Sequence, residues 1–319
     1  MNIVAADIGG TKSWLASMDA ASGSVVHESQ LLNRDYDNFY DLLADFIASA
    51  KQPADGLYLA LPAPVNAETV KLTNLQWTVN AAELESRLGI TQIAFINDFQ
   101  AAALGTTTIP GDQLLALNDQ AVDPTGTRAV TGAGTGLGVA YMHWQHGHYR
   151  PFATEAGHMT FAPMDEEQLG LRDYLATRYG HVSYERILSG PGIEDVYHHL
   201  SGKDSAIETP GAQWINEQSR AGNQAAQRTM SLFARVFGTF AGNIALTFKP
   251  LGGLYITGGV SAKTAYWLQS DGFREAYAHK GRMSGLATGI PVYLVINERV
   301  GLQGAIQFAI MNFNKESLS

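Results

Sequence analysis

Gly132-Ala133-Gly134-Thr135-Gly136-Leu137-Gly138 lies between two strand-like runs, and Asp7-Ile8-Gly9-Gly10-Thr11-Lys12 repeats that arrangement near the start of the chain. Glycine lets a backbone adopt positive φ and approach a ligand closely, so successive N–H groups converge on anionic oxygens where a side chain would block them. The two turns read as a two-sided phosphate clamp whose natural occupant is a nucleotide. Two commoner phosphate loops fail on the letters. A Walker loop ends in Gly-Lys-Ser/Thr, but Gly202-Lys203 is followed by Asp204. The dinucleotide fingerprint needs a third glycine where Leu137 stands, and a helix after it. Here the chain resumes as a strand after each turn, over 13–18 and 139–142, so both are hairpin turns.

The 319 residues allow two domains, each with its own core, at roughly 100–200 residues per domain. A hydrophobic content of 45% agrees. The 21 basic residues against 30 acidic ones give a net charge of −9 without a basic cluster, so nucleic acid is not an expected partner. The absence of cysteine excludes a disulfide framework, an iron–sulfur cluster and a cysteine zinc site. Asp7 interrupts any signal-peptide core, and no apolar run approaches the about 20 residues of a membrane helix. The expectation is a soluble cytoplasmic protein with no membrane partner.

Along the chain, strands over 2–6, 13–18 and 24–31 precede a helix over 36–50, where Tyr36, Phe39, Tyr40, Leu43, Phe46 and Ile47 recur at helical spacing. A buried strand runs from Gly56 to Leu61, and a short helix from Ala81 to Leu88 closes at Gly89. Ile93-Ala94-Phe95-Ile96 is an apolar strand running into Asn97-Asp98 and a helix over 99–104. The second half repeats the plan, with strands over 128–131, 137–144 and 148–152, which suggests a duplication. Asp165 with Gln168 reads as a capping box, and Ser183 as the cap of a helix reaching Ile187 or beyond. The spacing of Met230, Phe233, Phe237, Phe240, Ile244 and Phe248 predicts a long buried helix stopped by Pro250. A strand over 254–257 meets Gly258-Gly259, and a last strand over 291–296 leads to a helix over 301–311 with a frayed tail at 312–319. Strands alternating with helices argue α/β architecture, with the glycine turns at the mouth of a cleft between two related domains.

Asn97-Asp98 stands where a strand ends and a helix begins, the place where open α/β sheets put ligands. Asp98 has two readings, a helix N-cap or a carboxylate that accepts a proton from a substrate hydroxyl beside the phosphate clamp. Glu155 and His158, in Thr154-Glu155-Ala156-Gly157-His158, are either solvated loop residues or convergent acceptor and donor groups for a polyol. Glu185 follows Ser183 in a first helical turn, where the macrodipole favours a carboxylate whatever its function. Asp7 suits magnesium, held through water because Mg²⁺ dehydrates reluctantly. Gly258-Gly259 either admits a nucleoside base or makes a tight turn. His143, His146 and His148 straddle a hairpin turn and are expected to be solvated, with metal binding the lesser alternative.

In order along the chain, Asp7-Ile8-Gly9-Gly10-Thr11, Ile96-Asn97-Asp98-Phe99, the 132–138 turn, Glu155-Ala156-Gly157-His158, His181-Val182-Ser183-Tyr184-Glu185-Arg186, Leu188-Ser189-Gly190-Pro191-Gly192 and Gly258-Gly259 resemble the bacterial glucokinase family. The resemblance spans nearly the whole chain and is specific to the cysteine-free branch. It implies two actin-like ATPase (ribonuclease H-like) α/β domains flanking an active-site cleft that closes. The small domain is expected over 1–108, completed by 299–319, and the large domain over 109–298. It implies transfer of the γ-phosphoryl of ATP to the 6-hydroxyl of glucose with Mg²⁺. By position Asp98 matches the catalytic base, and Asn97, Asp98, Glu155, His158 and Glu185 the sugar ligands. Asp7, Gly9, Gly10, Thr11 and Lys12, with Gly132, Gly134, Thr135 and Gly136, match the phosphate motifs, and Gly258 and Gly259 the adenosine site. A homodimer is implied as well. Two positions depart from the family, Lys12 in place of Asn and Ala156 in place of Gly. A kinase for another hexose and a non-catalytic sugar sensor on the same scaffold remain as alternatives.

Overall fold

The computed structural model describes residues 1–65, 69–72, 75–202 and 210–316, which leaves Lys203 and Asp204 of the rejected Walker match outside it. The chain divides into two units. The first holds Met1–Pro110, Pro151–Ala153 and Arg299–Ser319, and the second Gly111–Arg150 and Thr154–Glu298.

In the first unit, β1 (Asn2–Ile8), β2 (Lys12–Asp19) and β3 (Val25–Leu32) form an antiparallel meander, followed by α1 (Phe39–Ala50). β4 (Gly56–Leu61) lies parallel to β1; β5 (Thr69–Lys71) and β6 (Thr78–Asn80) make a separate ribbon. Then come α2 (Ala81–Leu88), β7 (Gln92–Asn97) parallel to β4, and α3 (Asp98–Gly105), giving the sheet order β3-β2-β1-β4-β7. Successive strand residues point to opposite faces, and the cores follow that rule. Val4, Ala6 and Ile8 join Leu57, Leu59 and Leu61 on the face packed by Phe39, Leu42 and Phe46. Ile3 and Ala5 join Tyr58 and Ala60 on the other. α1 begins at Phe39, later than periodicity predicts, because the Asn38 side chain accepts the Asp41 N–H and caps it there. β7 is the end strand of its sheet, and only Ile96 among its residues is fully buried.

The second unit contains β8 (Leu114–Ala116), β9 (Arg128–Ala133), β10 (Leu137–Gln145) and β11 (His148–Thr154). The helices α4 (Glu166–Tyr179), α5 (Gly190–Ser201), α6 (Ala212–Arg220) and α7 (Gln224–Phe248) follow. After them come β12 (Leu254–Thr257), α8 (Gly259–Lys263), α9 (Ala265–Leu268), α10 (Asp271–Ala278), α11 (Ser284–Thr288) and β13 (Val292–Val295). The sheet order is β11-β10-β9-β12-β13-β8, so its first five strands reproduce the arrangement of the first unit. α7 has the length and apolar composition of a membrane span, yet 67% of its apolar window is buried. Phe233, Phe237 and Phe240 sit wholly inside the core of this unit. Lys249, in the left-handed region at φ 44°, ends the helix before Pro250.

The chain returns to the first unit as α12 (Val300–Glu316). It continues past Met311, where a frayed tail was expected, and residues 317–319 lie outside the described ones. Packing accounts for the extra length: Ala305, Ala309, Phe308, Met311 and Phe313 cover the core face around Ile3 and Tyr58, with the Phe308 ring edge-on to Tyr58 at 6.1 Å. Two glycines set how closely α12 meets α3. A Cβ on Gly304 would run into the Ala101 carbonyl, and one on Gly105 into the Val300 carbonyl.

Two local expectations are corrected. Ser183 caps no helix: Tyr184–Arg186 is a single 3₁₀ turn without a side-chain cap bond, and α5 starts later, where Ser189 Oγ accepts the Gly192 N–H. Glu185 therefore has no helix macrodipole to explain it. Asp165 does accept the Gln168 N–H at 2.8 Å, but Gln168 returns its bond to the Met164 N–H, one residue before the cap.

Candidate active site

At the end of β7, Asn97 takes the capping role that the sequence left open to Asp98. Its Oδ1 accepts from Phe99 and Gln100 at 3.0 and 3.3 Å, and Gln100 Oε1 accepts the Asn97 N–H, closing a capping box. The Asn97 amide nitrogen points to the Ala63 carbonyl at 3.4 Å, near the upper limit for a hydrogen bond. Asp98 is the first residue of α3, half-buried, with Oδ1 accepting the Phe99 N–H at 2.9 Å. A carboxylate at the first helical position gains from the partial positive charge of the helix start.

The first glycine turn, Gly9-Gly10-Thr11, is the tip of the β1–β2 hairpin. Gly9 donates to the Lys12 carbonyl at 3.1 Å, and a Cβ on Gly9 would come within 2.6 Å of that oxygen. Sequence reading missed the residue that braces this tip, Asn33. Its Nδ2 donates to the Gly9 carbonyl at 2.8 Å, its N–H to the Thr11 carbonyl at 3.0 Å, and its Oδ1 accepts from Ser13 Oγ at 2.7 Å. Asn33 is buried just past β3, and no local pattern links it to a turn more than twenty positions earlier. Asp7 sits at the base of the hairpin against Gly301 of α12, where any Cβ would collide with the carboxylate. Burial pushes its pKa up from 3.8 to about 6, with the positive charge of Lys12 pulling the other way. The Lys12 ammonium lies 5.8 Å from the centre of the Trp14 ring.

In the second unit, the 132–138 turn joins β9 to β10 and is fixed from both flanks. Gly132 lets the strand lie against the Thr257 carbonyl, and Gly258, at φ 93°, lies against the Ala133 carbonyl. Both contacts would be lost with any larger residue. The Ala133 N–H donates to Ser261 Oγ at 2.9 Å, and Gly190, at the start of α5, donates to the Gly134 carbonyl at 2.9 Å. Thr135 is exposed at the tip, and Gly259, also exposed, begins α8.

The structure brings Glu155, His158 and Glu185 together. His158 Nε2 lies 4.0 Å from Glu155 Oε2, and its Nδ1 lies 3.8 Å from Glu185 Oε1. Glu155 precedes and His158 ends the 3₁₀ turn Ala156–His158, with both side chains largely exposed, while Glu185 is only 25% exposed. A right-handed turn accommodates Ala156 without strain. The position that must be glycine is Gly157, whose Cβ would strike the Leu137 carbonyl. His181 joins this cluster through the His158 carbonyl at 3.2 Å. By contrast, His143 pairs with Thr127 Oγ1 at 2.9 Å, and His146, at φ 51°, forms the β10–β11 turn. Among the described residues no group of three or more His, Asp or Glu could hold a metal ion.

Duplicated sheets with glycine hairpin tips are the actin-like ATPase fold of the sugar kinases, and the family match makes the chain an ATP-dependent hexose kinase. The glucokinase family model matches residues 4–311. A glucokinase of Hahella chejuensis is 35% identical over 306 residues, covering 94% of each chain. The crystal structure of a glucokinase from an Antarctic psychrotroph superposes with a TM-score of 0.82 at 27% identity, covering 98% of this chain and 99% of that one. A glucokinase from Streptomyces griseus, solved with glucose and AMPPNP, shares the fold with a TM-score of 0.65 at 20% identity, covering 98% of this chain and all of that one. The chain belongs to the glucokinase family.

Proposed function

We propose that the protein transfers the γ-phosphoryl of ATP to the 6-hydroxyl of glucose, with Asp98 as the general base. The observation that carries this reading is the grouping of Glu155, His158 and Glu185, whose acceptor and donor atoms lie within about one hydroxyl's reach of each other. Two carboxylates around an imidazole offer what vicinal hydroxyls require: acceptors for their protons and a donor for their lone pairs. Asn97, tied at Oδ1 by its cap bonds, presents its amide nitrogen as a donor to the sugar. Phosphoryl transfer passes through a loose transition state, so orienting the hydroxyl counts for as much as removing its proton. Asp98 accepts that proton as the new O–P bond forms and the bond to the ADP oxygen breaks. The turns Gly9-Gly10-Thr11-Lys12 and Gly132-Ala133-Gly134-Thr135 receive the phosphates, and Gly258-Gly259 the adenosine.

Mg²⁺ fits the residues present. Asp7 offers one hard carboxylate in a partly buried position, and kinase Mg²⁺ is held by one or two carboxylates with substrate phosphates rather than by a protein cage. When bound, it neutralises charge on the transferring group. AMPPNP and glucose bound to the Streptomyces griseus relative support ATP as donor. A cytoplasmic homodimer completes the proposal, tested by sedimentation.

The deciding experiment is a coupled assay for ADP with Mg-ATP across glucose, mannose, fructose and N-acetylglucosamine. Glucose should give the highest kcat/KM. Turnover that favours another hexose would keep the chemistry and change the substrate. No sugar-dependent ADP would defeat the proposal.

A further inference from the structure

The turn at 132–138 carries two kinds of glycine. A Cβ on Gly134 would meet nothing within 4 Å, so no protein atom accounts for glycine there. Gly136 is different: its Cβ would stand 2.5 Å from Glu185 Oε2. Its φ lies outside the left-handed region, so alanine would be conformationally acceptable and the carboxylate is the obstacle. The next amide is also committed, since the Leu137 N–H donates to the same Glu185 Oε2 at 3.0 Å. The Leu137 carbonyl in turn lies against Gly157, between Glu155 and His158. The residues after Thr135 thus touch the cluster on both sides, while those before it touch Thr257, Gly258, Ser261 and Gly190.

We propose that Gly136 and the Leu137 amide are positioning groups for the Glu185 carboxylate, so that the second half of this glycine turn serves the sugar and only the first half serves the nucleotide. The inference rests on the assignment of Glu185 to the sugar given above, and it departs from the family expectation that Gly136 belongs to the phosphate motif. Charge-assisted donation from Leu137 fixes one carboxylate oxygen. That leaves Glu185 Oε1, facing His158 Nδ1, to orient a hydroxyl.

Steady-state kinetics of Gly136→Ala and Gly134→Ala separate the two halves. Gly136→Ala is expected to raise the glucose KM at least tenfold and leave the MgATP KM, at saturating glucose, within twofold. Gly134→Ala is expected to do the reverse. A rise in the MgATP KM of Gly136→Ala equal to or above its rise for glucose would overturn the inference. Should Gly136→Ala fold poorly, the double variant with Glu185→Ala decides, because removing the carboxylate removes the obstacle. It should melt at the temperature of Glu185→Ala alone, whereas a double variant that melts well below it overturns the inference. Wild-type turnover of glucose is measured first; its absence defeats the kinase reading, while the melting comparison still tests the contact.

Discussion

Asp98 does not carry the cap of its own helix. With Asn97 satisfying the first free amides of α3, replacing the Asp98 carboxylate by an amide leaves the helix start intact and removes the proton acceptor. Asp98→Asn should lower kcat by roughly 10²–10⁴-fold, the usual worth of a general base, with glucose affinity by calorimetry within about threefold. Retained wild-type kcat would exclude the role. Asp7 gives a pH signature in the ligand-free protein. Its folded pKa of about 6 exceeds the ordinary 3.8, so the folded state holds the proton more tightly and stability falls as pH rises through that window. Above pH 6 the full cost is present, about 3 kcal/mol as an upper figure at about 1.4 kcal/mol per pH unit. Asp7→Asn should therefore melt above wild type at pH 8, with the gap closing toward pH 4. A gap independent of pH would show that the carboxylate is not strained by burial.

Among the elements, α7 is the one whose sequence pattern and environment agree most fully. Phe237 is fully buried and packs edge-on to Phe233 and Phe273 at 5.7 and 6.3 Å. Phe237→Ala should cost about 3–5 kcal/mol by urea denaturation. A cost below 1 kcal/mol would mean that the core closes over the gap. α7 was legible because its period repeats over seven turns and Pro250 marks its end. The turn at 183–187 was not, because a serine cap followed by an acidic residue fits a helix start and a lone 3₁₀ turn equally well. What decided between them is the Met159 carbonyl, which takes the Tyr184 N–H at 3.0 Å from far along the chain. Asn33 and Ser261 were invisible for the same reason: each acts on a glycine turn through bonds that no local pattern encodes. The residue types of Glu155 and His158 left their convergence as one of two open readings, whereas Glu185 entered through the family resemblance alone, because its spacing fits a helix start.

For the whole molecule, the duplication was readable from the twin glycine hairpins, whereas β8, at the end of the second sheet, was not, since three residues carry too little periodicity. A protein that binds glucose only when folded must gain stability from it. At a glucose concentration of one hundred times Kd the gain is about 2.7 kcal/mol, and the melting temperature should rise by a few degrees. An unchanged melting curve with millimolar glucose, alongside a shift with another hexose, would reassign the sugar. The contact of α12 with α3, where Gly304 and Gly105 admit the facing carbonyls, bears on the order of assembly. On the ribosome, residues 111–298 are all synthesised before Val300–Glu316 exists. The sheet face around Ile3 and Tyr58, within residues 1–110, must therefore stay uncovered until Val300–Glu316 is translated. This reverses the usual vectorial sequence in which the first-made domain is the first to mature.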